Sequence, residues 1–176
     1  MATKEEISMV GFEIVAYAGD AQTDLLAALD AAREGDFEKA EQLHKDASDA
    51  LIGAHDTQTK LLSQEAGGGE MEMTFIMAHA QDTLMTTMIL EKQTRFTIDA
   101  YKRIAELDRQ LERDNARMKE LLELMADPDF YINEAESSDA IAEHGKLKAR
   151  IAAAEEEWFL LNEELEEEMR KQQEQA

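Results

Sequence analysis

The chain has 176 residues, room for one compact domain with a smaller appendage, and with one Pro, eight Gly and much Ala, Leu, Glu and Met it is composed for helix rather than sheet. Its 18 Lys and Arg against 40 Asp and Glu leave a net charge of -22, which repels nucleic-acid phosphates and anionic membrane surfaces and argues against both as partners. Without Cys there is no disulfide framework or thiolate chemistry, and no N-terminal apolar run reads as a signal peptide or membrane span; the expectation is a cytoplasmic all-α protein with no membrane insertion.

Apolar residues recur at helical spacing through Ile7, Val10, Ile14, Val15, Ala18, Leu25 and Leu29 and stop near Gly35, which defines a first helix. Asp36 is placed to cap a second helix, whose inner face is expected to hold Phe37, Ala40, Leu43, Ala47, Leu51, Ala54, Leu61 and Leu62. The Gly67-Gly68-Gly69 run ends it. A third pattern begins near Met71 and passes through Phe75, Leu84, Met88 and Ile98 to Ile104, with no Gly or Pro before Pro128. That is about 55 residues of helix, roughly 80 Å at ~1.5 Å per residue. Such a helix outruns one small bundle, so its far half needs a second packing partner.

The heptads supply that partner. Ile104, Leu107, Leu111, Met118, Leu121 and Met125 keep a/d spacing, with Asp114 as the one polar residue in the seam. After a polar break containing Pro128 and Ser137-Ser138, a matching stripe runs through Leu147, Ile151, Ala154, Trp158, Leu161 and Leu165. Two such helices joined by a short turn form an antiparallel coiled-coil hairpin, with Trp158 filling its seam and the chain fraying from Arg170 to Ala176. The organisation expected is a three-helix up-down bundle over residues 1–103 whose third helix continues into a hairpin over 104–176.

Several motifs point to one family. The segment Gly11-Phe12-Glu13-Ile14-Val15-Ala16-Tyr17-Ala18-Gly19-Asp20-Ala21, the Gly35-Asp36-Phe37 turn, Ala54-His55 with Gln58-Thr59, and His79-Ala80-Gln81-Asp82 with Leu84-Met85-Thr86 occur in order across all three helices. Together, over residues 5–103, they resemble lactose/cellobiose-specific enzyme IIA of the sugar phosphotransferase system. The resemblance implies a homotrimer of three-helix subunits. It also implies that His79 takes phosphate from the histidine-containing phosphocarrier protein and passes it to enzyme IIB. At Asp82 it implies a divalent metal site, with Mg as the expected ion, on the trimer axis.

The string Met125-Ala126-Asp127-Pro128-Asp129-Phe130-Tyr131, followed by Glu155-Glu156-Glu157-Trp158, resembles the C-terminal coiled-coil hairpin of ABC-F type ATPases. That hairpin can contact nucleic acid or ribosome in its family, a role that 11 basic against 21 acidic side chains over residues 101–176 places in doubt. Between the two parts, Tyr101-Lys102-Arg103 runs straight into Ile104 with no Gly, Pro or Ser-rich linker. The junction is read as an engineered rigid helical fusion, with a long natural helix as the alternative.

The chemistry follows from residue types. A neutral imidazole nitrogen is a competent nucleophile near neutral pH, and its phosphoramidate keeps high transfer potential. Asp82 alone cannot cage a cation; three copies around an axis would favour a divalent ion or protonation. The residue by itself leaves that reading open against a solvated helix acid. Gln81 either orients one of these groups through its amide or is a polar interface residue. Where the family usually has His after the Asp, this chain has Thr83. His44, His55 and His144 have no acidic or thiol partners at metal spacing, and His55 is expected to pack in the bundle. Met71, Met73, Met77, Met85 and Met88 read as core and trimer interface. Two functions compete: a working phosphocarrier and phosphotransferase component, or a trimeric structural scaffold whose phosphotransfer site is vestigial.

Overall fold

The computed structural model describes residues 3–69, 71–132 and 134–174. Among them are four α-helices, α1 (Lys4–Arg33), α2 (Phe37–Ala66), α3 (Phe75–Met125) and α4 (Glu134–Glu174), with a 3-10 turn at Phe130–Ile132 and no strand. The protein is all-α, and none of its described helices is long and apolar enough to cross a membrane.

Helix ends follow capping chemistry. Thr3 opens α1 with a capping box: its hydroxyl accepts from the Glu6 amide at 3.1 Å while its own amide donates to the Glu6 carboxylate at 2.7 Å. Gly35, at φ +81°, reverses the chain after α1, and the Asp36 carboxylate then accepts from the Lys39 amide at 3.2 Å to start α2. Gly68, at φ +90°, makes the second reversal. The third helix begins at Phe75 rather than near Met71. Thr74, itself buried, places its hydroxyl 3.2 Å from the Met77 amide, which fixes the first turn there and leaves residues 71–73 outside the helix.

The chain divides into two compact units, residues 1–101 and 102–176, with the boundary inside α3. In the first, α1, α2 and the early part of α3 enclose a core of Ile7, Ile14, Leu25, Leu51, Met77 and Leu84 interleaved with Ala21, Ala47, Ala54 and Ala80. A second cluster of Ala28, Ala31, Ala32 and Ala40 closes around Ile98. So many alanines let helix backbones approach closely. Gly11 marks the tightest approach, because a Cβ there would lie 3.3 Å from backbone atoms of Ile76 and Met77. Leu62, expected on the inner face of α2, is exposed, as is His55, expected to pack in the bundle. Each follows a residue of the inward stripe by one position, Leu61 and Ala54 respectively, and so points about 100° round the helix from it.

In the second unit the seam residues Leu107, Leu121, Leu147, Ile151 and Ala154 are buried, and Phe130 turns inward from the connection to join Leu121, Ala140, Leu147 and Ile151 in one cluster. Three bidentate arginine–carboxylate pairs fix the antiparallel register: Arg103 with Glu157 (2.7 and 2.8 Å), Asp114 with Arg150 (2.5 and 2.6 Å) and Arg117 with Glu143 (2.8 and 2.9 Å). Asp114, only 5% exposed in the seam, therefore has its charge met from the flank of α4. Trp158 sits half-buried at its seam position, with its Nε1 buried and lacking a hydrogen-bond partner among the described residues. Ser137 and Ser138 are not in the break but in α4, where Ser137 keeps the heptad spacing with Ala140 and is buried. Nor does helix stop at Arg170: it reaches Glu174, and Lys171 pairs with Glu167 and Glu168 across its final turns.

Candidate functional site

The outward face of α3 in the first unit carries a second apolar stripe that its own bundle does not cover. Phe75 is 91% exposed, and Ala78, Met85, Ile89 and Phe96 follow it on the surface in alternating three- and four-residue steps that Asp82, between Ala78 and Met85, and Lys92, between Ile89 and Phe96, complete. His79 lies beside this stripe, four residues after Phe75 and three before Asp82, so the imidazole and the carboxylate share one exposed helix face. No hydrogen bond or ion pair holds the His79 ring among the described residues, which leaves both ring nitrogens open to an approaching partner.

Gln81 projects from a different side of α3. It is half-buried and lines a small cleft with Ile7, Gln58, Leu61, Met71 and Met77, and its amide makes no hydrogen bond to His79 or Asp82 among the described residues. Within one chain, His79 and Asp82 are brought together and Gln81 is turned away from both.

Three threonines after the histidine bond back along the helix. The Thr83 hydroxyl donates to the His79 carbonyl at 2.9 Å, Thr86 to the Asp82 carbonyl at 2.9 Å, and Thr87 to the Thr83 carbonyl at 2.8 Å. Each of these carbonyls thus gains a second donor beside its helical one, which ties the turn carrying the site to the next. The spacing of Thr83, Thr86 and Thr87 is visible in the sequence and was the available signal for this feature.

The other histidines stand apart. His44 is buried between α2 and α3, its Nε2 lying 3.1 Å from the Glu91 carboxylate and 3.2 Å from the Glu91 carbonyl. That acidic partner is 47 residues away, beyond the reach of local spacing. His55 borders a surface recess with Ser48, Asp56, Met88 and Glu91, and His144 is half-buried in the hairpin seam. No group of three or more His, Cys, Asp or Glu among the described residues of one chain could hold a metal ion. A cation at Asp82 therefore fits only where several chains contribute. Its place as a carboxylate within an exposed apolar stripe is compatible with that arrangement.

Residues 9–102 match the family described as "PTS system, Lactose/Cellobiose specific IIA subunit". The chain is similar to the "PTS system lactose-specific EIIA component" of Lacticaseibacillus casei, with 63% identity over 108 residues, 61% of this chain and 96% of that protein. It is 48% identical over 100 residues to the protein of the same description from Lactococcus lactis subsp. lactis, covering 57% of this chain and 95% of that one. Among solved structures, PtcA from S. mutans superimposes with a TM-score of 0.56 and 41% identity over 57% of this chain and 98% of that chain. The PTS cellobiose specific enzyme IIA from Bacillus anthracis does so with a TM-score of 0.55 and 30% identity over 60% of this chain and 95% of its own.

Proposed function

Because the chain belongs to the lactose/cellobiose-specific IIA family of the sugar phosphotransferase system, we propose that it is a phosphocarrier in which His79 receives a phosphoryl group from the histidine-containing phosphocarrier protein and delivers it to enzyme IIB. In the first step a ring nitrogen of His79 attacks phosphorus, the new P–N bond forms, and the P–N bond to the donor's histidine breaks. In the second step a nucleophile of enzyme IIB attacks the same phosphorus, its bond to phosphorus forms, and the P–N bond at His79 breaks to return the neutral imidazole. Catalysis of this kind is mostly a matter of positioning, so the site must admit two protein partners in turn. The observation that carries the reading is the open His79 ring on the solvent face of α3, on a turn anchored by the Thr83 hydroxyl.

The working unit in this proposal is a homotrimer. The exposed heptad stripe from Phe75 to Phe96 supports it, since an apolar face of that length on a monomer has no other cover within its own bundle. Three copies of Asp82 would then converge near the axis and hold a divalent cation such as Mg, which would neutralise their mutual repulsion. Gln81, which lines the cleft behind the site, would orient His79 or Asp82 through its amide only by turning out of that cleft.

A second reading is favoured by the boundary at residues 101 and 102, which falls inside α3 with no linker residues around it. On that reading the chain is an engineered fusion in which the IIA part is a trimeric base for hairpins similar to those of ABC-F type ATPases, and its phosphotransfer site is vestigial. Incubation with phosphoenolpyruvate, enzyme I and the histidine-containing phosphocarrier protein separates the two. The phosphocarrier reading expects acid-labile label on the parent and none on His79→Ala; an unlabelled parent leaves the scaffold, and label persisting in the variant refutes the assignment of His79.

A further inference from the structure

The turn end of the hairpin displays apolar side chains where a solvent-facing helical connection ordinarily carries Gly, Asn or Ser. Tyr131 and Ile132 are 64% and 78% exposed in the 3-10 turn, and Leu122, Leu124 and Ile141 are exposed on the adjoining turns of α3 and α4. The hairpin's own packing does not need them. Its seam at this end is filled by Leu121, Met125, Ala140 and Leu147, closed by the inward Phe130.

The turn is also preformed. The Asp127 carboxylate accepts from the Asp129 amide at 2.8 Å, and the amides of Phe130 and Ile132 donate to the carbonyls of Asp127 and Asp129 at 3.0 Å each. The Phe130 ring meets the Tyr131 ring edge-on, centroids 4.9 Å apart. A partner therefore finds Tyr131 and Ile132 already positioned, and little ordering cost opposes binding.

Charge selects the partner. Residues 117–143 hold eight Asp and Glu against Arg117 and Lys119, and with Glu120 and Glu143 paired to Arg117 the balance at this end is still strongly acidic. That field repels nucleic acid, anionic lipid and a second copy of the same acidic tip, and it attracts a basic surface. We propose that the turn end of the hairpin docks a cationic protein partner, with Tyr131 and Ile132 entering an apolar recess and the surrounding carboxylates meeting Lys and Arg at its rim. This surface is independent of the His79 chemistry.

A labelled amphipathic Leu/Lys helical peptide serves as the probe, with fluorescence anisotropy read on the full chain. Three proteins are compared: the parent, Tyr131→Ser combined with Ile132→Ser, and Phe159→Ser. The last removes a side chain of similar exposure, 61%, from an equally acidic stretch of α4 and so controls for charge alone. Circular dichroism establishes that all three are folded. The expected result is loss of at least about tenfold in affinity for the tip variant, change within about twofold for Phe159→Ser, and weakening of the parent's binding by added salt. A parent that does not bind, or equal losses in the two variants, overturns the proposal. So does a tip-dependent rise in mass with protein concentration, which would make the occupant a second copy, or tip-dependent binding to phosphatidylserine vesicles, which would make it a membrane.

Discussion

Gly11 offers the sharpest test of how the first unit is packed. Replacing a helix-interior Gly by Ala gains about 1 kcal/mol of helix propensity wherever the methyl has room. At Gly53 nothing lies within 4 Å of the added Cβ, so Gly53→Ala should stabilise by about that amount. At Gly11 the same Cβ would stand 3.3 Å from backbone atoms of Ile76 and Met77, and backbone retreats less readily than the end of a side chain. Overpacking of this kind costs about 1–3 kcal/mol, so Gly11→Ala should fall between neutral and about 2 kcal/mol destabilising. Gly11→Val, with two further carbons, should lose more. Urea denaturation at a single protomer concentration measures the differences, since an oligomer's stability depends on concentration. Because the displaced turn leads into His79, amide exchange over residues 76–80 should also quicken in Gly11→Ala. If Gly11→Ala is stabilised as much as Gly53→Ala, the close approach of α1 to α3 is not what the glycine serves and the packing argument fails.

Thr74→Ala should cost about 1 kcal/mol by removing the cap on the first turn of α3, read as a lower urea midpoint with unchanged slope. Arg150, hydrogen-bonded to Asp114, holds that carboxyl below its ordinary 3.8; Arg117 and Arg103 likewise hold Glu143 and Glu157 below 4.5. Because the folded values are the lower ones, these pairs stabilise the hairpin fully above the ordinary values and lose that contribution as pH falls through the folded ones. Thermal melts should therefore decline below pH 4.5, and Arg150→Ala should remove the part due to Asp114, whereas an unchanged acid profile in that variant would contradict the assignment. Asp82→Asn should raise the melting temperature in metal-free buffer if three carboxylates converge on an axis; a fall would show that the charges hold something the assembly needs.

Much of the fold was legible because its punctuation is local. Gly35 with Asp36, and the glycines from 67 to 69, mark chain reversals that only capping and positive φ require, and they fall where helical periodicity stops. The start of α3 was misplaced because Met71 and Met73 continue the apolar rhythm, whereas a single hydroxyl on Thr74 decides where the first turn closes. Ser137 and Ser138 look like turn residues by composition, yet register outweighs composition once Ser137 occupies a seam position. Asp114 stood out as a polar residue in the seam; its partner did not, since Arg150 sits on the flank of α4 and becomes a neighbour only in the antiparallel register. The same holds for His44 and Glu91, joined by tertiary packing alone. At the site, the shared face of His79 and Asp82 follows from their three-residue spacing. The turning away of Gln81 needed the bundle, because which side of α3 is inward depends on α1 and α2.

The central claim is that His79 carries a phosphoryl group between two proteins, and its most direct test is a chase. The protein, phosphorylated through the histidine-containing phosphocarrier protein and freed of it, is mixed with a lactose- or cellobiose-specific enzyme IIB, and peptide mass spectrometry follows the phosphoryl group on both chains. The account predicts that the group starts on the His79 ring, disappears from it and appears on enzyme IIB in equal amount. A group that never reaches His79, that starts on another residue, or that stays on His79 while enzyme IIB remains unmodified would contradict it.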